Sequence, residues 1–359
     1  MLEKFVSPLL GKLDIEAEHV AIREFLHALE NSAEPLPLIR MLSGGERFSD
    51  PRLFTTLASV SLDNPLIVGP GWDKVGHAVR ALYELGFGAI EVGSIMARAQ
   101  PGNPKPRHLM LAPGVPLNRY GFNSPGVEVT AGNLEAYKGL NLPIGINIGK
   151  NKDVSEEDAP AAYASVAQRL ANVGTYFVIN VSSPNTPGLR ALQDKEPLTA
   201  IVQATQTVLG TGKPLFVKIA PDMTPEAIND VIEVVISNNL TGIVATNTTS
   251  SEDIKAKYGA QGEMGGVSGN DADFRKMSTD IIRYIYKRTR GKIAIIGAGG
   301  VNDASSALEK IRAGASAVEI VAALDEEGPM LPGRINRDIV SQMEKEGVKS
   351  IPEIVGVDA

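Results

Sequence analysis

Asn118, Asn147, Asn180, Asn185 and Asn247 stand at or near the ends of short apolar runs, in the company of Lys74, Lys218 and several serine and threonine hydroxyls. An amide offers a donor and an acceptor on one small group. A ring of them suits a flat, neutral, hydrogen-bonding heterocycle, and a lysine beside them could hold one carboxylate on that ring. Any one of these residues has a plainer reading: a lone Asn at a strand end is ordinarily a turn or cap residue, and a lone Gly is backbone relief. Lys218 is harder to dismiss, because lysine is seldom buried unpaired, and an anionic cofactor is its expected partner. GAGG (Gly297–Gly300) could turn backbone N–H groups towards an anion. No carboxylate pair stands out, which disfavours a glycosidase. The chain has no cysteine, so disulfides, thiolate nucleophiles and Cys-ligated metals are excluded. Its four histidines, His19, His27, His77 and His108, show no metal-ligand spacing, and no metal is expected.

These side chains need a scaffold that gathers strand ends. Eight apolar runs alternate with helix-compatible segments from residue 64 onward: Pro65–Gly69, Ala89–Gly93, Ile144–Ile148, Tyr176–Val181, Leu215–Ile219, Gly242–Thr246, Ile293–Gly297 and Ala317–Ala322. Runs of this length and β-branched content suit parallel strands covered on both faces. Eight such units predict an α/β fold, a (β/α)₈ TIM barrel, with a doubly wound open sheet as the alternative. Ser155 ahead of acidic residues, and Thr224 before Pro225, read as helix starts. The Pro-, Gly- and Asn-rich stretch from about 94 to 143 is too long for a crossover and is expected to cover the C-terminal face, where barrel chemistry sits.

Residues 1–45 read differently. Helical spacing over 1–12 and 15–31, and a third short piece at 36–42, predict a small N-terminal helical extension ended by Gly44-Gly45, with the barrel at 46–359. No apolar run reaches the roughly 18 residues of a spanning helix, and no signal-peptide pattern opens the chain. A cytoplasmic protein is expected, one that touches a membrane only from its surface. The net charge of −7 gives no general basic surface, so no nucleic-acid partner is expected.

Taken together, QPGNPKPR, NRYGFNS, GKNK, NVSSPNTPGLR, VKIAPD, ATNTT, GGVSG and IIGAGG resemble, in order, the signatures of the class 2 dihydroorotate dehydrogenases, over nearly the whole chain. The resemblance implies an FMN-binding barrel with an N-terminal helical pair, oxidising dihydroorotate to orotate in pyrimidine synthesis and passing electrons to a quinone. It implies Ser183 as the base that removes the C5 proton, with Thr186 as relay and Phe122 as cover. The substrate set would be Lys74 on the carboxylate and Asn118, Asn180, Asn185, Asn247 and Thr248 on the ring. The flavin set would be Gly71, Asn147, Asn180, Lys218, Thr246, Gly269, Gly299 and Gly300, with the backbone at Val321 and Ala322 on the phosphate. Other classes of the family use cysteine as base, and this chain has none. The N-terminal helices would form a quinone mouth at a membrane surface, with His19 as its tunnel histidine; the plainer reading is a packing cap on the barrel.

The chain departs from that pattern in places. Met96 stands where the family has a hydroxyl on the flavin, Met110 where it has an arginine, and Val321-Ala322 where it has tyrosine and a hydroxyl. If these cluster on one flavin edge, dihydroorotate oxidation is retained while the acceptor differs. Rival readings are a reductase of uncharged pyrimidines, against which Lys74 argues, and a flavin-binding paralogue with little turnover.

Overall fold

Runs of Val and Ile that are apolar on both faces can be buried only side by side, with the amphipathic segments packed outside them. The computed structural model, which describes residues 14–359, shows that arrangement. Helices α1 (Ile15–Glu30) and α2 (Pro35–Ser43) come first. The strands follow as β1 (Thr55–Leu57), β2 (Val60–Leu62), β3 (Leu66–Val68), β4 (Ala89–Ile95), β5 (His108–Ala112), β6 (Val115–Asn118), β7 (Ile144–Ile148), β8 (Tyr176–Asn180), β9 (Leu215–Ile219), β10 (Gly242–Ala245), β11 (Gly266–Val267), β12 (Ala294–Ala298) and β13 (Ala317–Ile320). Strands β3, β4, β7, β8, β9, β10, β12 and β13 pair in that order, all parallel, and β13 returns to β3 to close the barrel. All eight expected runs are barrel strands, and the open-sheet alternative falls.

Two elements were not legible in the sequence. The first is the β1–β2 hairpin. Leu57, Val60 and Leu62 from it join Ile67, Tyr176, Val178, Phe216, Val244 and Ile296 in one buried cluster inside the barrel. The Thr55 hydroxyl donates to the Ser316 carbonyl at 2.9 Å, just ahead of β13, so the hairpin plugs the end where the strands start. The second is a three-stranded antiparallel sheet, β11-β6-β5, formed within and beyond the long 94–143 segment.

The expected caps are mostly in place. Thr224 Oγ1 accepts from the Ala227 N–H at 3.3 Å with Pro225 at the first helical position. The helix after Ser155 begins later than expected, at Ala159; Ser155 Oγ is taken up by a turn with the Asp158 N–H, at 3.0 Å. Gly44 ends α2 with φ +78°, a conformation that costs glycine little. The expected helix over 1–12 lies outside the described residues. Among the described residues, no helix is long and apolar enough to cross a membrane.

α1 packs onto the barrel by polar anchors as well as by Leu26. The Glu16 carboxylate takes the Arg107 guanidinium through bonds of 2.6–3.1 Å. Buried Glu30 accepts from the Ala81 N–H at 2.9 Å and from the Tyr137 hydroxyl. His27 stacks on His77 with ring centroids 4.5 Å apart.

Candidate active site

The C-terminal ends of the strands open into a cavity of about 210 Å³. The loop after β3 contributes Gly71 and Lys74, β6 and its following loop Asn118, Tyr120 and Phe122, and β8 and its loop Asn180, Ser183 and Asn185. Lys218 comes from β9, and Thr246, Asn247 and Thr248 follow β10. Gly269, Gly299, Gly300, Val321 and Ala322 complete the wall. All the site residues expected from sequence line this one cavity except Asn147 and Thr186. Asn147 is fully buried behind the wall: its Nδ2 donates to Glu91 Oε1 at 2.8 Å, and its Oδ1 accepts from Asn180 Nδ2 at 3.1 Å and from the Ser94 hydroxyl. It aligns Asn180 and Ser94, and Ser94 is the one of the three that sequence reasoning had not placed in the site.

The departures do not gather as expected. Met96 is fully buried and absent from the cavity wall, and Met110 is 45% exposed and absent too. Only Val321 and Ala322 face the cavity. Met96 therefore does not present its thioether to the cavity.

The loop carrying Lys74 is rigid for a local reason. The buried Asp73 carboxylate accepts from the N–H groups of Gly76, His77 and Ala78 at 2.9–3.1 Å. Lys74 Nζ donates to Asn123 Oδ1 at 3.0 Å and lies 3.4 Å from the Tyr120 ring centroid. Burial pushes its ammonium down to about 7, against the pull of Glu16. An anion entering the cavity would draw the proton back.

Lys218 was expected to meet an anionic cofactor. Its partner within the chain is Glu319 on β13, with Nζ 2.5 Å from Oε2, both groups buried. Glu91 on β4 lies in the same interior, hydrogen-bonded by Asn147 and by the Tyr176 hydroxyl at 3.2 Å. Burial, then the neighbouring Glu319, push Glu91 up to about 8, against the pull of Lys218. The sequence reading found no carboxylate pair; the barrel brings one together from strands more than two hundred residues apart. A charged residue inside an otherwise apolar run was the available signal in both cases.

α1 forms part of the wall. His19 lines the cavity, with Nδ1 2.9 Å from Asp325 Oδ1 and Nε2 2.7 Å from the Trp72 carbonyl oxygen. The Trp72 indole N–H donates to the same Asp325 oxygen at 2.8 Å. Both ring nitrogens thus face acceptors, as a protonated imidazolium requires. Burial alone would lower the His19 pKa, but Asp325 and the carbonyl outweigh it and raise it.

Several polar atoms of cavity-lining residues are buried and take no hydrogen bond from the described residues: Asn185 Oδ1, Thr248 Oγ1 and Glu319 Oε1, and the same holds for Thr186 Oγ1 outside the wall. Buried polar atoms ordinarily find partners, so this set fits a polar ligand rather than an apolar one. Gly71, at φ +106°, faces open space where a Cβ would stand, a cradle for a flat group approaching the backbone.

The comparisons agree with this geometry. The dihydroorotate dehydrogenase family profile matches residues 52–343. A protein named dihydroorotate dehydrogenase (quinone) from Natronomonas pharaonis is 42% identical over 99% of both chains. One of the same name from Rhodospirillum rubrum is 40% identical over 98% of this chain and 93% of its own. The crystal structure of the Eimeria tenella DHODH in complex with ferulenol superimposes with a TM-score of 0.85 at 31% identity, covering 98% of this chain and 99% of that one. With its fold, its cavity and its sequence in accord over nearly its full length, the chain belongs to the dihydroorotate dehydrogenase family.

Proposed function

We propose that this chain is an FMN-dependent dihydroorotate dehydrogenase that oxidises dihydroorotate to orotate and passes the electrons to a quinone. The observation that carries the reading is the single cavity in which Ser183, Lys74 and the amides of Asn118, Asn180, Asn185 and Asn247 converge around unpartnered buried polar atoms. Lys74 holds the substrate carboxylate, which an uncharged pyrimidine lacks. The amides, with Thr248, read the donor and acceptor pattern of the ring. Ser183 takes the C5 proton. The residue is 6% exposed, and its hydroxyl accepts from the Asn185 N–H at 3.2 Å. Serine is a weak base at neutral pH, so removal of the proton depends on exclusion of water under Phe122 and on onward transfer towards the buried, unpartnered Thr186 hydroxyl. FMN, when bound, supplies the hydride acceptor and then the electron donor. The residues that would hold it are Gly71, Asn180, Lys218, Thr246, Gly269, Gly299, Gly300 and the backbone at Val321 and Ala322, with Asn147 acting through Asn180.

For the acceptor, the family names and the position of α1 point the same way. His19 on α1 lines the cavity, while Val20 and Phe25 on α1, and Leu38 and Met41 on α2, leave large apolar side chains exposed. The helices α1 and α2 form the quinone mouth, resting against a membrane from its cytoplasmic surface.

The test is anaerobic. The yellow protein is mixed with dihydroorotate without acceptor, and the flavin absorbance is followed. Rapid bleaching, slowed at least 10²-fold in Ser183→Ala with flavin retained, is expected for loss of a general base. A yellow protein that dihydroorotate does not bleach would sink the reading. Re-oxidation by quinone, fumarate and NAD⁺ in turn then identifies the acceptor, with saturable turnover expected for quinone alone.

A further inference from the structure

Beneath the cavity, three ionisable groups share one low-dielectric interior: Lys218 on β9, Glu319 on β13 and Glu91 on β4. Lys218 and Glu319 are 5% and 4% exposed, and both line the cavity. Among the described residues, Glu319 is the one hydrogen-bond partner of Lys218 Nζ. Glu319 spends one oxygen on that bond, and the other, Oε1, is buried without a partner. Glu91 is fully buried, with its oxygens held by Asn147 and Tyr176.

We propose that Glu319 is a charge-setting residue for the bound flavin: it cancels the positive charge of Lys218 and so lowers the electron affinity of the cofactor. This rests on the reading above that FMN binds in this cavity. The physical argument is one of charge balance. Reducing the cofactor adds electrons to the site, and a fixed cation there favours reduction while a fixed anion opposes it. A lysine alone in this barrel would be a strong electron-attracting group. A carboxylate 2.5 Å away from it removes most of that effect and adds a negative end that itself faces the cavity. Glu91 does less of the same work, because burial and the neighbouring Glu319 raise its pKa and favour its protonated, uncharged form, with both of its oxygens already held by Asn147 and Tyr176. Charge at this level of the barrel is therefore decided by Glu319 and Lys218 together.

The experiment measures the reduction potential of the bound FMN at pH 6 by equilibration with a reference dye. It compares the holoenzyme with Glu319→Gln, Glu91→Gln, Lys218→Met and the Lys218→Met/Glu319→Gln double variant. Glu319→Gln is expected to raise the ratio of reduced to oxidised flavin at least tenfold at a fixed ambient potential, about 30 mV for two electrons. Glu91→Gln, the same isosteric change on a neutral neighbour, is expected to leave the potential where it is. Lys218→Met shifts it the other way, and the double variant returns towards the wild type. This last pair keeps the test decisive if Glu319→Gln alone does not fold. Unchanged potential in Glu319→Gln, or equal shifts in Glu319→Gln and Glu91→Gln, would overturn the proposal and leave the functional reading standing. A wild-type protein that takes up no FMN overturns the functional reading, and the proposal with it.

Discussion

Lys74 shows how far a single residue's chemistry follows from its surroundings. Its ammonium is depressed to about 7 by burial, so above that pH the free site loses the charge that an anionic ligand needs. Orotate affinity is therefore expected to rise as pH falls from 8.5 to 6, and Lys74→Met is expected to flatten that slope and raise Kd at least tenfold. Fluorescence titration across the range checks both; a wild-type affinity independent of pH would refute the assignment. Most of the residues that surround Lys74 could be named from the sequence, because short motifs keep their spacing and hug strand ends. Asp325 and Glu319 could not, because they reach the cavity from a short helix and a strand distant in sequence, while Tyr120 and Asn123 sit in the same motif as Asn118 and Phe122 but had been given no role. Asn147 was assigned a contact with the cofactor, whereas its side chain is spent on Glu91, Asn180 and Ser94. A buried amide's neighbours on either side of a parallel strand are set by register, which no local motif records.

At the scale of elements, the barrel strands were legible because each is a continuous apolar run, while β1 and β2 were not. Three residues per strand, with alternating exposure, leave too little pattern to read. Their burial is nonetheless deep, and Leu57→Ala is expected to cost about 2–5 kcal/mol of stability, the range for a leucine cavity that cannot collapse; denaturant unfolding measures it. The seam between α1 and the barrel carries a pH dependence. The folded-state pKa of His19 is raised, so its contribution to docking is fully present below the unfolded value of about 6.5. It is lost as pH rises through the raised folded value. Hydrogen exchange over residues 15–30, corrected for the intrinsic rate, is expected to accelerate above that value, and Asp325→Asn to remove the step. Protection that stays constant through this range would count against the His19–Asp325 clasp.

For the whole molecule, the proposed function predicts that the extension and the barrel divide the two half-reactions. A chain lacking residues 1–45 is expected to remain yellow and to bleach with dihydroorotate, since among the described residues the cavity wall is barrel-built apart from His19. Its re-oxidation by quinone is expected to lose saturation, as read by stopped-flow absorbance. Loss of bleaching as well would mean that α1 belongs to the substrate site. Overall charge gave little guidance here beyond disfavouring nucleic acid, because the charges that matter are a handful held inside the barrel.

The hairpin at the far end of the barrel has a consequence for traffic. With Leu57, Val60 and Leu62 buried at that end, the described residues close the barrel there, and under the proposed function whatever gives electrons and whatever takes them is expected to come and go on the opposite side. A vessel with one mouth favours turn-taking. In such an arrangement the first visitor would leave before the second arrived, and the two need never meet. Kinetically, a ping-pong pattern is expected, with parallel double-reciprocal lines for its two substrates, and intersecting lines would count against it.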